Sequence, residues 1–259
     1  MKYDFSNQTA IVTGGGTGIG KDTAKAFLEA GANVVINGRR AEVLEQTVRE
    51  LSAAHPGRIS AVAGDIGNPA TAQQLVAAAV ERFGGVNILV NNAGIFNPTR
   101  FLDHQAEDFH RYVNIILGGT FFASQAAIPE LIKAGGGAIV NVGSMWAIQA
   151  IGATPSSAYS AAKAGVHALT RNLAIEHAAD QIRVNAIAPA VVETPVYNTF
   201  LPADQVEEAL AGFNDFHPLG RNGLPSDISA AILFLASDAA SWITGAVLPL
   251  DGGVTAGKH

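Results

Sequence analysis

The sequence predicts a single-domain α/β fold, a doubly wound parallel sheet of about seven strands with helices on both faces. Short β-branched runs alternate with longer Ala-rich stretches, and several of the short runs are apolar on consecutive residues. Consecutive apolar residues are typical of a strand that is covered on both faces. No Ser/Pro-rich linker or internal repeat divides the 259 residues, so we expect one domain over 1–259.

The elements follow in chain order. Seven apolar runs are predicted as strands: Thr9–Val12, Asn33–Ile36, Ile59–Ala63, Ile88–Val90, Ala138–Val142, Arg183–Ile187 and Ala246–Leu250. Six stretches between them are predicted as helices: Gly18–Ala30, Ala41–Ala53, Pro69–Phe83, Ala106–Lys133, Ser157–His177 and Ser226–Ala236. Gly31 follows the first helix where a C-terminal glycine belongs.

One region breaks the alternation. From Pro189 to Pro225 no clear strand is predicted, although Asp204–Phe213 is a short amphipathic segment. A connection of that length inside a domain is more often functional than plain. We therefore expect a substrate lid at about 190–225.

Composition excludes several classes of function. Lys and Arg total 16 against 22 Asp and Glu, and this net charge of −6 argues against nucleic-acid binding. The absence of Cys excludes disulfides, thiolate zinc sites and a cysteine nucleophile. No His pair has a metal-binding spacing, since His104 and His110 do not share a helix face, so no metal is expected. The N-terminus MKYDFSNQTA lacks the apolar stretch of a secretory signal, and the longest apolar run is Ala230–Ala236. We expect a cytoplasmic protein with no membrane partner.

A glycine-rich turn, Thr13–Gly20, follows the first strand and opens the first helix. Such a turn lets the backbone approach a pyrophosphate at the helix N-terminus. Gly15–Lys21 has the spacing of an ATP-binding P-loop, but Asp22 stands where a magnesium-binding Ser or Thr is needed. The turn therefore matches the spacing T-G-x-x-x-G-x-G rather than that of a P-loop. The alternative is a tight turn that binds nothing.

Tyr159 and Lys163 are four positions apart within a predicted helix, so they share one face. A nearby ammonium lowers the pKa of a phenol, and such a Tyr exchanges a proton near neutral pH. Ser144 ends the preceding strand, where its hydroxyl could bond the same substrate oxygen. Each of these residues alone is common. Ser144 lacks the G-x-S-x-G elbow of a hydrolase nucleophile.

Over essentially its full length the chain resembles the short-chain dehydrogenase/reductase family. The resemblance lies in the order and spacing of weak motifs: T-G-x-x-x-G-x-G (Thr13–Gly20), Asp65, Asn91-Asn92-Ala93-Gly94, Asn114, Ser144, Y-x-x-x-K (Tyr159, Lys163), Pro189 and Thr194. It implies a Rossmann-type fold and hydride transfer between a nicotinamide cofactor and a carbonyl or secondary alcohol. It also implies a homotetramer, built through the two long helices and the C-terminal end.

The resemblance also implies roles for individual residues. Tyr159 is expected to be the general acid in reduction, Ser144 to stabilise the carbonyl oxygen, and Lys163 to hold the ribose and lower the pKa of Tyr159. Asn114 is expected to support a water that feeds protons to Lys163. The expected cofactor-binding residues are Gly14, Gly16, Thr17, Gly18, Ile19, Gly20, Asn37, Arg39, Arg40, Asp65, Ile66, Asn92, Ala93, Gly94, Tyr159, Lys163, Pro189, Val192 and Thr194. Ala190 departs from the family's usual Gly, so we expect a local difference in the backbone beside the nicotinamide.

The second strand indicates which nicotinamide cofactor is used. No acid occurs between this strand and Glu42, whereas an NAD enzyme usually places one there for the ribose 2′-OH. Arg39 and Arg40 could instead pair with a 2′-phosphate. We therefore predict a preference for NADP(H) and leave NAD(H) as the alternative.

The substrate is predicted to be a small molecule. The expected walls, Gly143–Ser156 and Val191–Pro218, are largely apolar, which favours a ketone or 3-oxoacyl-type compound. The expected substrate-binding residues are Ser144, Trp146, Tyr159, Val196 and Tyr197. Two other functions stay open: a sugar or polyol dehydrogenase that uses NAD, and a non-catalytic dinucleotide-binding sensor.

Overall fold

The computed structural model describes residues 3–152 and 154–257. Ala153, within the predicted substrate wall, and the two residues at each terminus of the predicted domain lie outside the described part. Seven strands form one sheet in the order β3-β2-β1-β4-β5-β6-β7, with every neighbouring pair parallel. The strands are β1 (Thr9–Thr13), β2 (Asn33–Gly38), β3 (Ile59–Ala63), β4 (Ile88–Asn91), β5 (Gly137–Val142), β6 (Ile182–Pro189) and β7 (Val247–Leu250). Their ends differ from the predicted ones by at most two residues, and the predicted fold class is confirmed.

Helices cover both faces of the sheet. They are α1 (Gly18–Glu29), α2 (Ala41–Ser52), α3 (Pro69–Phe83), α4 (Ala106–Tyr112), α5 (Gly119–Lys133), α6 (Ser157–Glu176), α7 (Val206–Ala211) and α8 (Pro225–Ala236). Neighbouring residues of β1 belong to different cores: Val12 packs with Phe27 and Ile232, and Ile11 packs with Leu75 and Leu131. Burial of both faces explains why the strand is apolar on consecutive residues.

The predicted helix Ala106–Lys133 differs from the structure in its middle. Val113–Gly118 is a π-helix that separates α4 from α5. A π segment widens the turn by one residue, so every side chain beyond its start points in a different direction from that in a continuous α-helix. Asn114, one of the expected site residues, lies in this π segment.

The same run, Ala106–Lys133, is long and apolar enough to cross a membrane by length and composition, with a mean hydropathy of 1.4. Half of its most apolar window is buried inside the fold. Leu131 and Ala127 of α5 belong to the core against β4 and β5. The run is therefore explained as a core helix. The cytoplasmic location stays a prediction.

The segment between β6 and α8 has no strand in the described structure, as expected. Two 3₁₀ turns, Pro195–Thr199 and Asn214–Phe216, flank α7, which lies within the predicted amphipathic segment. A single bridge pairs Val192 with Gly223 and closes the base of this segment. Its two ends are thus fixed beside β6 while its middle extends over the edge of the sheet where the strands end.

Candidate active site

A cavity of about 970 Å³ opens at the carboxyl ends of the strands, where the strand order reverses between β1 and β4. This is the place where doubly wound sheets bind their ligands. Most residues predicted for the cofactor and substrate line it: Gly14, Gly16, Thr17, Gly18, Ile19, Asn37, Arg39, Arg40, Asp65, Ile66, Asn92, Ala93, Gly94, Trp146, Tyr159, Lys163, Pro189, Val192, Thr194, Val196 and Tyr197. Three predicted residues, Gly20, Asn114 and Ser144, do not line it.

The glycine turn is shaped by contacts that a side chain would block. Gly14 has a φ of +65°, and a Cβ on it would lie 2.9 Å from Cα of Ala93. Gly18 has a φ of +52°, and a Cβ on it would lie 3.2 Å from Cβ of Thr194. Gly20 is buried, and a Cβ there would lie 2.2 Å from the Gly14 oxygen. Gly20 therefore lets α1 pass close to the turn and does not itself line the cavity.

The position of Lys21 argues against the P-loop interpretation of the glycine turn. Its ammonium pairs with the carboxylate of Glu50 on α2 and does not line the cavity, where a P-loop lysine would reach the phosphates. The carbonyl of Gly16 accepts a hydrogen bond from Oγ1 of Thr47 at 2.9 Å. Helix α2 thus holds the turn on the side away from the cavity. The side that faces the cavity carries no charged group.

The end of β2 carries the two predicted arginines. Arg39 and Arg40 are exposed and line the cavity, and their side chains form no hydrogen bond or ion pair with the described part of the chain. The last residue of β2 is Gly38, so no acid is present there. The amide nitrogen of Asn37 donates to the carbonyl oxygens of Val62 at 3.0 Å and Gly64 at 3.2 Å. The Asn37 amide thus ties β2 to the end of β3.

The Asn91–Gly94 stretch acts first as a brace. Nδ2 of Asn91 donates to Oδ1 of Asn141 at 2.9 Å, and Nδ2 of Asn141 donates to Oγ1 of Thr170 at 2.9 Å, which connects β4, β5 and α6. Nδ2 of Asn92 donates to the Thr13 oxygen at 2.9 Å. Oγ1 of Thr13 in turn accepts from the backbone of Asn92 at 3.0 Å. The bonds between Asn92 and Thr13 fix the glycine turn against β4, whereas the bonds of Asn91, Asn141 and Thr170 only join β4, β5 and α6.

Tyr159, Lys163 and Ser144 meet where β5 ends against α6. Nζ of Lys163 donates to the Val142 oxygen at 2.5 Å and lies 5.8 Å from the centre of the Tyr159 ring. The Ser144 side chain is within hydrogen-bonding reach of the Tyr159 phenol. Ser144 is buried behind the cavity wall, and its Oγ accepts from the backbone nitrogen of Trp146 at 3.2 Å.

Burial shifts the pKa values of both Tyr159 and Lys163. It raises the pKa of Tyr159 to about 12, although part of the ring faces the cavity, and the hydrogen bond from Ser144 opposes this rise. It lowers the pKa of Lys163 to about 8 because an ammonium is poorly solvated there. Burial is the largest influence on the pKa of Tyr159 in the protein by itself, and Lys163 is not among the groups that shift it. The expectation that Lys163 lowers this pKa stays a prediction.

Asn114 is not brought to this site. It is exposed, lies in the π segment, and its carbonyl oxygen faces the loop after β3, 2.8 Å from where a Cβ on Gly67 would be. From this segment Ile116 and Leu117 pack with α6, together with Tyr112 at the end of α4. The structure does not bring Asn114 together with Tyr159 and Lys163, and its expected catalytic role finds no support in this geometry.

Aromatic side chains surround Tyr159. Phe96 contacts it edge-on with ring centres 5.0 Å apart, and Phe200 contacts Phe96 at 5.6 Å. Tyr112 lies 6.3 Å from Tyr159, and its hydroxyl donates to the Asn97 oxygen at 2.9 Å. Phe96 and Tyr112 were missed by sequence reasoning. Phe96 follows the Asn91–Gly94 motif by two residues, a signal that could have found it, whereas Tyr112 has no local signal.

The predicted substrate walls are partly corrected. Met145 is buried in the core and Ile148 is exposed on the surface, so neither lines the cavity, whereas Trp146 does. From the second wall, Phe200 and Phe213 line the cavity. Phe216 does not line it and instead packs against Trp146 with ring centres 6.4 Å apart.

Two further expectations concern the backbone and metals. Ala190 does not adopt a positive φ, and its nitrogen donates to the Leu250 oxygen at 3.3 Å, so the residue is accommodated without strain. Within residues 3–152 and 154–257, no group of three or more His, Asp or Glu side chains could hold a metal ion.

The chain is similar to known proteins over almost its whole length. Residues 14–255 match the family model described as enoyl-(acyl carrier protein) reductase. The chain is 42% identical to cis-4-hydroxycyclohexanecarboxylate dehydrogenase of Sinomonas cyclohexanicum, over 99% of this chain and 100% of that protein. It is 40% identical to 3alpha-hydroxysteroid dehydrogenase of Mediterraneibacter gnavus, over 96% and 97%.

The fold has a solved counterpart in a short-chain dehydrogenase/reductase from Brucella melitensis described as a glucose/ribitol dehydrogenase. The TM-score is 0.89 at 34% identity, covering 98% of this chain and 99% of that one. The family's enzymes use nicotinamide cofactors and act on alcohol or carbonyl groups. From its motifs, its sheet and these relatives, the chain belongs to the short-chain dehydrogenase/reductase family and is an oxidoreductase of alcohols or carbonyls.

Proposed function

We propose that this enzyme interconverts a secondary alcohol and its ketone on an apolar, ring-bearing substrate, with NADP(H) as the preferred cofactor. The observation that carries the proposal is the position of the Tyr159 phenol. It lies beside Ser144 and Lys163, and the rings of Phe96 and Tyr112 contact the Tyr159 ring, with Phe200 packed against Phe96. A proton donor enclosed by apolar walls suits a substrate that is apolar around one carbonyl.

The residues fit a dinucleotide. The turn from Gly14 to Ile19 would hold the pyrophosphate, because its glycines leave the backbone open toward the cavity. Arg39 and Arg40 would hold the 2′-phosphate, and Lys163 would hold the ribose beside Tyr159. When bound, the nicotinamide supplies or accepts the hydride.

The chain's own residues handle the oxygen of the substrate. In reduction, Tyr159 donates its proton to the carbonyl oxygen, and the Ser144 hydroxyl donates a hydrogen bond to the same oxygen. In oxidation, the Tyr159 phenolate takes the proton of the alcohol. Phe96 and Phe200 exclude water from this exchange, which strengthens each electrostatic interaction in the site.

The ring-bearing substrate class has two supports. The side chains that line the cavity beyond Tyr159 include Val196, Tyr197, Phe200 and Phe213, which offer flat apolar surfaces. The two relatives described above are named for a hydroxysteroid and a hydroxycyclohexanecarboxylate, both secondary alcohols on saturated rings. An open-chain 3-oxoacyl thioester is the second carbonyl class to test.

The first experiment follows NADPH and NADH oxidation with cyclohexanone derivatives, a 3-oxosteroid, a 3-oxoacyl thioester and an open-chain sugar ketone. We expect turnover with NADPH and the cyclic ketones. Turnover confined to the sugar ketone with NADH would favour the polyol dehydrogenase, and cofactor binding without turnover of any of these ketones would favour the sensor. The homotetramer stays a prediction.

Cofactor preference is tested with Arg39→Ala. A charge-assisted hydrogen bond to a phosphate is worth about 1.5–3 kcal/mol, so we expect the Kd for NADPH to rise about 10- to 100-fold while the Kd for NADH is unchanged. Both constants are measured by fluorescence titration. Arg49→Ala is the matched control, because Arg49 is an exposed arginine of α2 that pairs with Glu45 and does not line the cavity. An equal rise in both Kd values would contradict the assignment.

A further inference from the structure

A histidine lies directly behind the catalytic serine. His167 is 4% exposed and follows Lys163 by four residues and Tyr159 by eight, so the three share one face of α6. Its Nε2 accepts a hydrogen bond from the backbone nitrogen of Ser144 at 3.3 Å. The mechanism above makes no use of this imidazole.

Gly143 provides the space for this contact. A Cβ on Gly143 would lie 2.0 Å from Nε2 of His167 and 2.6 Å from its Cδ2. The φ of Gly143 is not positive, so the backbone itself does not require glycine at this position. The absence of a side chain at Gly143 is therefore explained by the imidazole that occupies its place.

The His167 ring is held in one protonation state. A backbone N–H can only donate, so Nε2 carries the lone pair and the proton is on Nδ1. Burial lowers the pKa of His167 to about 4, and the charges of Lys163 and Arg171 add to this effect. The imidazole is thus neutral at physiological pH and its acceptor is always available.

The hydrogen bond between Ser144 and His167 lies just beyond the end of β5. The strand ends at Val142, and the Gly143 nitrogen donates to the Ile187 oxygen at 2.8 Å. The next backbone nitrogen, that of Ser144, is buried and has His167 as its acceptor. A buried N–H without an acceptor costs free energy. By accepting this hydrogen bond, His167 fixes the backbone of Ser144, the residue whose hydroxyl faces Tyr159.

We propose that His167, with the space left by Gly143, is a positioning residue that fixes Ser144 so that its hydroxyl and the Tyr159 phenol address one substrate oxygen. This rests on the proposed alcohol–ketone chemistry. His167 touches neither substrate nor cofactor and acts through Ser144.

The test compares His167→Leu, which removes the acceptor, with His167→Gln, whose amide oxygen can replace Nε2. Misplacing a catalytic group by a fraction of an ångström is expected to lower kcat about tenfold or more. We expect that loss in His167→Leu, with the Kd for NADPH unchanged, and recovery of most of kcat in His167→Gln. Gly143→Ala, which displaces the imidazole, should lower kcat in the same way.

Thr170→Val is the matched control. Thr170 lies three residues further along α6, and its buried hydroxyl accepts a hydrogen bond from Asn141 on β5 and donates to the Val166 oxygen. We expect this variant to lower Tm as much as His167→Leu while kcat stays within about twofold. Equal losses of kcat in the two variants, or an unchanged kcat in His167→Leu, would overturn the proposal.

A second measurement does not depend on turnover. The ¹⁵N NMR shifts of His167 should report a proton on Nδ1 alone near neutral pH, and His167→Leu should remove the exchange protection of the Ser144 amide. A proton on Nε2 would overturn the positioning role even if the enzyme is active. Absence of wild-type turnover on every alcohol and ketone would instead overturn the proposed function.

Discussion

The protonation states of two buried residues, Tyr159 and Lys163, determine which proton transfers the site can make. Burial raises the pKa of Tyr159 to about 12 and lowers that of Lys163 to about 8, so near neutral pH the phenol is protonated and most of Lys163 keeps its charge. A neutral phenol is the form that reduction needs, since it has a proton to donate. Oxidation needs the phenolate, which is scarce at neutral pH. The two directions should therefore respond differently to pH.

We expect alcohol oxidation to accelerate steadily from about pH 6 to about pH 10 without a plateau, because the phenolate fraction grows up to tenfold per pH unit below the pKa. Ketone reduction should not rise over the same range, since the phenol remains protonated. Initial rates in both directions, at saturating cofactor, test this. A plateau of oxidation near pH 7 would contradict it and would mean that the charged Lys163 dominates the pKa of Tyr159.

At the scale of elements, the regular α6 and the irregular helical run before it differ in how well the sequence predicts them. The spacing of Tyr159, Lys163 and His167 gives their common face because α6 is regular. The stretch Val113–Gly118 is equally apolar, but hydrophobic spacing does not reveal a π turn, which adds one residue to a turn without changing the composition. Asn114, which the family resemblance placed in the site, lies in this segment and does not line the cavity.

The position of Asn114 makes a prediction at this scale. Asn114→Ala should leave kcat within about twofold of the wild type and should not weaken the helix, because Ala has the higher helix propensity. Lys163→Met, measured beside it, should lose most activity. A loss of about tenfold or more in Asn114→Ala with an unchanged Kd for the cofactor would support the catalytic role that the family resemblance implies.

At the scale of the whole molecule, a parallel sheet brings distant segments to one edge. The glycine turn, Asn91–Gly94 and Ser144 each follow a strand directly, and parallel strands end at the same edge, so the sequence alone could place them together. The enclosure of Tyr159 could not be predicted in the same way. Phe96 and Phe200 belong to irregular connections, whose paths depend on tertiary packing and carry no periodic signal, and Tyr112 is the last residue of α4.

The central claim is that Tyr159 transfers the proton, and one substitution tests it most directly. Tyr159→Phe keeps the ring that packs against Phe96 and removes only the hydroxyl. Loss of a general acid costs about 10²–10⁴-fold, so we expect kcat for ketone reduction to fall by about that factor while the Kd for NADPH and the Tm stay unchanged. Tyr3→Phe is the matched control, because Tyr3 packs beside Phe5, away from the cavity. Undiminished turnover in Tyr159→Phe would contradict the account.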